Sequence, residues 1–237
     1  MIIKTLFDKT ARDENFHTGW GISFLIDERL IFDTGEKGPW LMKNIEKLNV
    51  DLNRVEAIVI SHDHWDHWGG LWDLLRAGKC KKIYSCKNFG DEFKYRSKEL
   101  GAQLVETVDF EEIFENFYLS GQMDGLFENS YIAEQSLIIR TQNGINIITG
   151  CAHPGILKIV EKVRNKFNEE EIYSITGGFH LMDDDSNEIE LVAQNLKNTG
   201  IKKIYPTHCS GDKAAAIFRE KFGDGFGEVI VGENITI

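Results

Sequence analysis

Residues 61–70 read SHDHWDHWGG, which places three histidines and two aspartates within six positions of a chain that has seven histidines. The stretch follows VEAIVIS, an apolar and β-branched run typical of a buried strand. It precedes LWDLLRAG, whose apolar spacing and closing Gly78 are typical of a helix that stops there. Because α/β proteins commonly bind ligands where the chain leaves a strand, this stretch predicts an α/β fold with a site at a strand end.

The pattern His-x-His-x-Asp-His contains four side chains of the metal-ligand type, His62, His64, Asp66 and His67. In an extended chain, residues two apart point the same way, so His62 and His64 can hold one ion. Asp66 and His67 lie where the helix begins and can turn towards a second ion. A histidine-rich surface loop is the alternative, but four ligand types at this spacing favour a metal site. Imidazole and carboxylate ligands suit zinc, iron or manganese.

Further ligand candidates follow other predicted strands. His153 follows INIITGCA, His180 follows EIYSITGGF and His208 follows KKIYPT. One such histidine alone is typical of a core or a cap, whereas three at strand ends favour metal ligands or groups that face the substrate. Cys151 and Cys209 are each either a soft metal ligand or a small buried residue. Asp33, in IFDTG, either orients a ligand histidine or serves the chemistry of the turn, and the two interpretations carry equal weight.

The rest of the chain predicts two similar halves, each with strands before helices, in a single domain over residues 1–237. Hairpins are expected around Asp27 and Glu28 and at residues 142–144, and EVIVGENITI predicts a terminal pair of strands. Residues 88–130 are ambiguous between helix and strand. The aromatic residues of this middle segment can line a pocket for a flat ring, although ordinary core is favoured; they are Phe110, Phe114, Phe117, Tyr118 and Phe127.

Composition narrows the class of protein. Hydrophobic residues make up 42% of the 237 residues, which predicts a globular chain. The formal net charge of −11 disfavours nucleic acid as a partner. No signal peptide or membrane-length apolar segment is found and the cysteines lack CxxC spacing, so a cytoplasmic protein with no membrane partner is expected. A small molecule is the expected substrate, and the sequence leaves the oligomeric state open.

Together these residues resemble the metallo-β-lactamase superfamily. Within it they resemble the branch of 7,8-dihydropterin-6-methyl-4-(β-D-ribofuranosyl)aminobenzene-5′-phosphate synthase-like proteins, or metal-dependent hydrolases of β-lactamase superfamily II. The resemblance covers nearly the whole chain, and the stretches that carry it are LIFDTG (30–35), SHDHWDHWGGL (61–71), TGCAHPGI (149–156), GGFHL (177–181) and THCSGDKA (207–214). It implies a four-layer αββα sandwich with the metal site at one edge of the two sheets.

The resemblance also implies a set of metal ligands. They are His62, His64 and His153 for the first ion, and Asp66, His67 and His208 for the second. The register of His153 departs from the superfamily pattern. Many members have an aspartate after a strand that bridges both ions, but here the comparable strand runs into Cys151. Cys151, Glu134, His180 or water alone can take the place of that bridge, so one or two ions are expected.

The expected activity is hydrolysis of an ester-type bond, such as a phosphoester or a lactone, by water that a divalent metal activates. Zinc is favoured, with iron, manganese or magnesium as alternatives. Asp66 is expected to orient or deprotonate the water, and His180 to stabilise an oxyanion or protonate the leaving group. The first alternative is a transferase that couples a dihydropterin diphosphate to an aminobenzene ribofuranoside phosphate. A di-iron redox protein or a metal-dependent binding protein is the alternative of another class.

Overall fold

The computed structural model describes residues 1–78 and 80–237, and these residues divide into two compact units. The first unit comprises Met1–Asp109 and Val229–Thr236, and the second comprises Phe110–Glu228 and Ile237. Each unit is built around its own mixed sheet. The single domain expected over residues 1–237 stays a prediction.

In both units a run of consecutive strands precedes a stretch in which strands and helices alternate. In chain order the strands are β1 (Ile2–Phe7), β2 (Ser23–Ile26), β3 (Leu30–Phe32), β4 (Ala57–Val59), β5 (Lys82–Cys86), β6 (Gln103–Thr107), β7 (Glu111–Phe114), β8 (Phe117–Leu119), β9 (Met123–Phe127), β10 (Ser130–Glu134), β11 (Leu137–Thr141), β12 (Gly144–Thr149), β13 (Ile172–Gly178), β14 (Lys203–Thr207) and β15 (Asn234–Thr236). The α-helices are α1 (Gly38–Lys47), α2 (Trp65–Trp68), α3 (Leu71–Ala77), α4 (Asp91–Glu99), α5 (Ile156–Lys166), α6 (Ser186–Asn198) and α7 (Gly211–Phe222). Across the described ranges, none of these helices has the length and apolar content that crossing a membrane requires.

The sheet of the first unit has the order β15-β1-β2-β3-β4-β5-β6. The strands from β15 to β3 pair antiparallel, and those from β3 to β6 pair parallel. The predicted hairpin between β2 and β3 is present, and Asp27 and Glu28 in its turn have φ values of 50° and 59°. Two successive positive φ values give the twist that a tight hairpin needs. Phe24 and Phe32 form a cross-strand pair and are fully buried, so the hairpin contributes to the core of this unit.

The sheet of the second unit has the order β14-β13-β12-β11-β8-β7. Its strands β12, β13 and β14 are parallel, while β11, β8 and β7 pair antiparallel. Helices α5, α6 and α7 share one hydrophobic core with this sheet, in which Ile159, Leu196 and Phe218 pack with Ile147 and Ile175. Strands β9 and β10 form a separate two-stranded sheet.

Most of the predicted elements are present, but two segments differ from the sequence interpretation. The ambiguous middle segment contains one helix, α4, followed by short strands. The predicted terminal pair of strands is wrong, because only β15 is a strand within that described segment. Val231 forms an isolated bridge with Ala11, and the chain then turns, with the amide of Glu233 donating to the carbonyl of Ile230 at 3.0 Å. This turn stops the chain from extending before β15.

Parallel strands position the candidate ligands in each unit. In the first unit, Asp33 follows β3 and His62 follows β4. In the second unit, the residues after β12, β13 and β14 include His153, His180 and His208. Since the carboxyl ends of adjacent parallel strands meet at one edge of a sheet, each unit brings its own set of polar side chains together.

Candidate metal centre

His62 and His64 lie directly after β4, where the chain is still extended. His64 has φ −111° and ψ 143° and is the residue before the first turn of α2. Nε2 of His62 and Nδ1 of His64 are 3.2 Å apart. Two nitrogen ligands that are each about 2.0–2.1 Å from a tetrahedral zinc ion lie about 3.3 Å apart. The spacing of the two ring nitrogens therefore fits a shared metal ion.

Asp66 and His67 lie within the single turn of α2, and both are buried. Oδ2 of Asp66 is 3.4 Å from Nε2 of His67, which is again a distance that two ligands of one ion can have. The backbone of this turn is anchored by Thr34, whose amide and hydroxyl both donate to the carbonyl oxygen of His67, at 2.8 and 3.0 Å. The turn thus presents a carboxylate and an imidazole side by side from a fixed backbone.

Asp33 organises the histidines of the first unit. Nδ1 of His67 donates to Oδ2 of Asp33 at 2.7 Å, and both side chains are fully buried. The hydroxyl of Ser61 also donates to Oδ2, and the amide of Ser61 donates to Oδ1, each at 2.7 Å. Nδ1 of His62 in turn lies 2.9 Å from Oγ of Ser61 and donates to it. With Nδ1 protonated in both rings, the lone pair of each imidazole is on Nε2, the atom that binds a metal.

Two carboxylates control the charge of His67. Burial lowers the pKa of this imidazole, but the charges of Asp33 and Asp66 and their hydrogen bonds outweigh burial and raise the pKa well above its usual value. A raised pKa means that the ring tends to hold a second proton, on Nε2. A divalent ion at Nε2 would replace that proton, because it too would supply positive charge between the two carboxylates. The donor set of the first unit therefore fits a cation chemically as well as geometrically.

The second unit gathers its candidate ligands on three loops. His153 lies after β12 and His180 after β13, and their ring centroids are 4.5 Å apart. Cys151, His208 and Cys209 offer ligand atoms that all lie within 4.8 Å of one another, and all three residues are buried. Sulfur and imidazole ligands suit zinc and iron. The structure thus brings together the predicted residues of this unit, with Cys209 among them.

Glu134, at the end of β10, holds the loop that carries two of these residues. Its Oε1 accepts from the amides of Cys151 and Ala152 at 3.0 and 2.8 Å, and its Oε2 accepts from the amide of His153 at 2.7 Å. Sequence reasoning considered Glu134 as a replacement for the bridging carboxylate. Both of its oxygens accept from backbone amides, so Glu134 organises this loop, and its part as a replacement for the bridging carboxylate stays a prediction.

Left-handed backbone recurs at the loops that carry the candidate ligands. Asp33, Ala152, His180 and His208 have φ values of 54°, 60°, 53° and 52°. Non-glycine residues rarely adopt this conformation, which costs of order 1–3 kcal/mol where it is strained and is common at functional sites. The hydrogen bonds of Asp33 and Glu134 are the contacts that hold two of these loops in place.

The thiol of Cys209 and the ring of His180 influence each other. A hydrogen bond with Cys209 raises the pKa of His180, against the effect of burial. Burial alone would raise the pKa of Cys209, but the contacts with Cys151, His208 and His180 outweigh it and hold that pKa well below its usual value. This part of the second unit therefore favours a negatively charged sulfur next to a protonated imidazole.

Sequence reasoning missed Ser61, which the structure places at the ligands of the first unit, whereas it already considered Cys209 because of its neighbour His208. Ser61 connects Asp33 to His62, and its position directly before the first histidine was the available signal. Cys209 contacts the loop of Cys151, with Sγ 3.6 Å from the carbonyl oxygen of Cys151. His17, which is not a candidate ligand, lies elsewhere in the first unit with its ring stacked on Trp40 at 6.0 Å.

The ligand pattern and the fold agree with a known family. The metallo-beta-lactamase superfamily profile matches residues 23–208. The chain belongs to the metallo-β-lactamase superfamily. The resemblance inferred from the sequence motifs is thereby confirmed.

Proteins similar to this superfamily member match over almost all of its length. The 7,8-dihydropterin-6-methyl-4-(beta-D-ribofuranosyl)-aminobenzene-5'-phosphate synthase of Methanocaldococcus jannaschii is 28% identical over 274 residues, covering 96% of this chain and 93% of that protein. The crystal structure of Tm1679, a metal-dependent hydrolase of the β-lactamase superfamily, is 27% identical with a TM-score of 0.85, covering 100% of this chain and 99% of that chain. The isothiocyanate hydrolase from Delia radicum gut bacteria, at 16% identity and a TM-score of 0.61, covers the same shares and has the same fold. These likenesses confirm the expected α/β fold class of the superfamily.

Proposed function

We propose that this protein is a metal-dependent hydrolase that cleaves an ester-type bond, such as a phosphoester or a lactone, in a small molecule. The observation that carries the proposal is the buried network in which Asp33, directly and through Ser61, turns Nε2 of His67 and His62 into available ligand atoms. Membership of the metallo-β-lactamase superfamily and the likeness to a metal-dependent hydrolase support it.

The proposed ligand set is the one that the resemblance to the superfamily implies. We propose His62, His64 and His153 for one ion, and Asp66, His67 and His208 for a second ion. The spacing of ring nitrogens and carboxylate oxygen within the first unit supports the two pairs. Zinc is the favoured ion because imidazole dominates the set, with iron, manganese or magnesium as alternatives. Cys151 follows the strand after which many superfamily members have a bridging aspartate.

The protein's own groups have distinct roles in the proposed reaction. A bound ion would act as a Lewis acid and would lower the pKa of water to about 7. Asp66 orients the attacking water or takes its proton, since its carboxylate is next to His67 at 3.4 Å. His180 protonates the leaving group or stabilises an oxyanion. Its pKa is raised, first by the hydrogen bond with Cys209, which is the direction that a proton donor requires.

A second candidate is a transferase that joins a dihydropterin diphosphate to an aminobenzene ribofuranoside phosphate. The name of the Methanocaldococcus jannaschii relative favours it, as that protein matches 96% of this chain. A metal ion held by the same ligands would then bind the diphosphate and assist its departure. Incubating the metal-loaded protein with both pterin-pathway substrates separates the candidates, because a hydrolase gives no coupled product.

The partners and the location belong to the same proposal. We propose a small-molecule substrate and no nucleic-acid or membrane partner, and the net charge of −11 supports the exclusion of nucleic acid. We propose a cytoplasmic location. The four cysteines, which have no CxxC spacing, support it because cytosolic thiols are usually reduced.

Elemental analysis of the purified protein tests the metal centre, with His64→Ala as the variant and His17→Ala as the matched control. We expect one or two equivalents of metal in the wild type and in the control, and a loss of metal and of ester hydrolysis in His64→Ala. Two equivalents support the dinuclear centre, and one equivalent shows that Cys151 does not replace the bridge. Wild-type protein that hydrolyses esters without metal, or full activity of His64→Ala, would overturn the proposal.

A further inference from the structure

The turn of α2 that carries Asp66 and His67 gains little stability from its own hydrogen bonds. α2 spans only Trp65–Trp68, and a single helical turn is unfavourable by itself because it orders several residues for few hydrogen bonds. In a longer helix the amide of Gly70 would donate to the carbonyl of Asp66, four residues earlier. It donates instead to the carbonyl of Gly35, at 3.1 Å. The orientation of the two proposed ligands therefore depends on the segments that pack against this turn.

Gly21, in the loop before β2, makes one of these packing contacts. A Cβ atom at this position would overlap the carbonyl oxygen of Asp66 and would lie 2.8 Å from its carbonyl carbon. The φ of Gly21 is 93°, a left-handed value that residues with a side chain rarely adopt. Because glycine has no Cβ, the loop can lie directly on this carbonyl. Both the available space and the backbone conformation at position 21 thus require glycine.

The peptide group that Gly21 contacts is the one that joins the two proposed ligands. The carbonyl of Asp66 and the amide of His67 belong to one planar unit, so an atom that displaces this oxygen moves the backbone of both residues. The next carbonyl along the turn, that of His67, accepts from the amide and the hydroxyl of Thr34. Gly21 and Thr34 therefore contact two successive carbonyls, and together they define the direction of the turn.

Hydrogen bonds hold the loop of Gly21 against the segment that follows β3. The amide of Gly35 donates to the carbonyl of Ile22 at 2.9 Å, and the amide of Trp20 donates to a carboxylate oxygen of Glu36 at 3.1 Å. The Cα of Gly35 would also lie 3.2 Å from a Cβ at Gly21. The loop therefore cannot move away from the turn of α2 without loss of these contacts, and an added methyl group would push on the turn.

The other pair of proposed ligands in this unit lies outside the contact. His62 and His64 precede α2, and the backbone of His64 is still extended. The three atoms nearest to a Cβ at Gly21 belong to Asp66 and Gly35. A substitution at Gly21 is therefore expected to act on one ligand pair and to spare the other.

We propose that Gly21 is a positioning residue for the second proposed ion. Its lack of a side chain lets the loop fix the peptide between Asp66 and His67, and this contact sets the orientation of both ligands. The inference rests on the proposed function. It adds a residue that has no ligand atom in its side chain and lies 45 positions before Asp66 in the sequence.

Zinc titration against a chromophoric chelator tests the inference on metal-free wild type, Gly21→Ala and Gly200→Ala. Gly200 is the matched control, since its φ of 87° imposes a similar backbone penalty on alanine. Apart from its chain neighbours, no heavy atom of the described residues would lie within 4 Å of the added Cβ. Both variants are expected to lose stability in urea. Gly21→Ala is expected to weaken one of two zinc equivalents by about tenfold or more and to change the other by less than about twofold, whereas Gly200→Ala keeps both affinities.

Hydrogen exchange of wild type provides a test that does not depend on folding of the variant. Coupling between two events is reciprocal, so an ion that fixes the peptide between Asp66 and His67 also stabilises its contact with Gly21. Loading with zinc is expected to slow amide exchange in residues 19–23. Exchange in residues 199–202, around the control position, is expected to stay unchanged.

Each other outcome overturns the inference. Equal weakening of both zinc equivalents by Gly21→Ala would show a general structural role, and unchanged affinities would show that the contact does not position the ligands. A similar loss of affinity in Gly200→Ala would assign the effect to backbone strain. Wild type that binds one zinc ion only, or whose residues 19–23 exchange at the same rate with and without zinc, would also contradict the proposal. Failure of the proposed function gives a different result, which is wild type that binds both ions but hydrolyses no ester.

Discussion

Nδ1 of His67 lies 2.7 Å from Oδ2 of Asp33, and the two side chains, 34 residues apart in sequence, are both fully buried. The same carboxylate accepts two hydrogen bonds from Ser61. The two oxygens of Asp33 accept from three donors. An asparagine at this position has one acceptor oxygen and an NH₂ group that donates, so it could not accept from donors on both sides. One carboxylate thus sets the tautomer of His67 and, through Ser61, that of His62.

We predict that Asp33→Asn lowers the affinity for zinc by about 10- to 100-fold, the usual effect of losing a carboxylate behind a metal-binding histidine. The amide nitrogen of the new side chain would face a donor in either orientation: the backbone amide of Ser61 at the Oδ1 position, or both the hydroxyl of Ser61 and Nδ1 of His67 at the Oδ2 position. His67 then no longer keeps its lone pair on Nε2. Titration of zinc into metal-free protein against a chromophoric chelator measures the change.

Asp63→Asn is the control for this prediction. Asp63 lies between His62 and His64, but its carboxylate accepts from the indole of Trp68 and from the amide of Gly90, at 3.0 and 2.6 Å. Its substitution is expected to leave zinc affinity unchanged. Equal zinc affinity in wild type and Asp33→Asn would show that the Asp33 network does not act on the metal ligands.

Glu134→Gln is predicted to destabilise the protein and to weaken metal binding together. The glutamine can accept through one oxygen, so at least one amide of the loop Cys151, Ala152 and His153 faces its NH₂ group. A buried donor left without an acceptor costs about 1–3 kcal/mol. The left-handed conformation of Ala152 also loses its support, which displaces His153.

Urea unfolding and metal content, measured on the same samples, check this prediction. Glu112→Gln is the matched control, because the carboxylate of Glu112 is exposed and accepts from one amide, that of Asn116, and from the hydroxyl of Tyr118. If Glu134→Gln loses stability but keeps full metal affinity, Glu134 supports the fold without positioning His153. If it loses neither, the role of Glu134 as organiser is wrong.

The sequence predicted those parts of the fold whose side chains alternate or cluster clearly. Strands β4, β12 and β13 are apolar and β-branched, and each is present. Helix α4 escaped prediction because its sequence, DEFKYRSKE, buries only Phe93 and Ser97 among its described residues, which leaves little periodic signal. Strand β9 is exposed along most of its length, so alternation of polar and apolar residues could not reveal it.

The candidate site also combines contacts that sequence spacing predicts with contacts that it does not. The pairs His62–His64 and Asp66–His67 are local, so their spacing in sequence was sufficient to place them together. The contacts of Asp33 with Ser61 and of Glu134 with His153 join residues 28 and 19 positions apart. Such contacts depend on how strands pair, which spacing alone does not specify. The sequence offered the orienting role of Asp33 as one of two equal interpretations, and the organising role of Glu134 emerges only from the fold.

The last of the three acidic residues 183–185 caps helix α6. Asp185 precedes α6, and its carboxylate accepts from the amides of Asn187 and Glu188 at 2.8 and 3.0 Å, while Glu188 binds back to the amide of Asp185. We predict that Asp185→Ala costs about 0.5–2 kcal/mol of unfolding free energy, the range measured for helix caps. Asp183→Ala, at an exposed position, is expected to change stability by less than about 0.5 kcal/mol. Equal stability of Asp185→Ala and wild type in urea would contradict the capping role.

Metal removal provides the last prediction, and its measurement needs no substrate. An ion that binds the folded chain and not the unfolded one stabilises it by about 2.7 kcal/mol when its free concentration is 100 times its Kd. For a chain of this length that corresponds to a rise of about 5–10 °C in Tm. We therefore expect chelation to lower Tm by this amount and added zinc to restore it.

His64→Ala supplies the comparison for the melting experiment. Without a nitrogen 3.2 Å from Nε2 of His62, the variant is expected to show a smaller zinc-dependent rise in Tm than wild type. His17→Ala, whose ring stacks on Trp40 away from the ligands, is expected to keep the full rise. A wild-type Tm that does not respond to chelator or zinc would show that metal binding is not linked to folding. An equal rise in wild type and His64→Ala would remove His64 from the ligand set, because each lost ligand reduces the affinity that produces the shift.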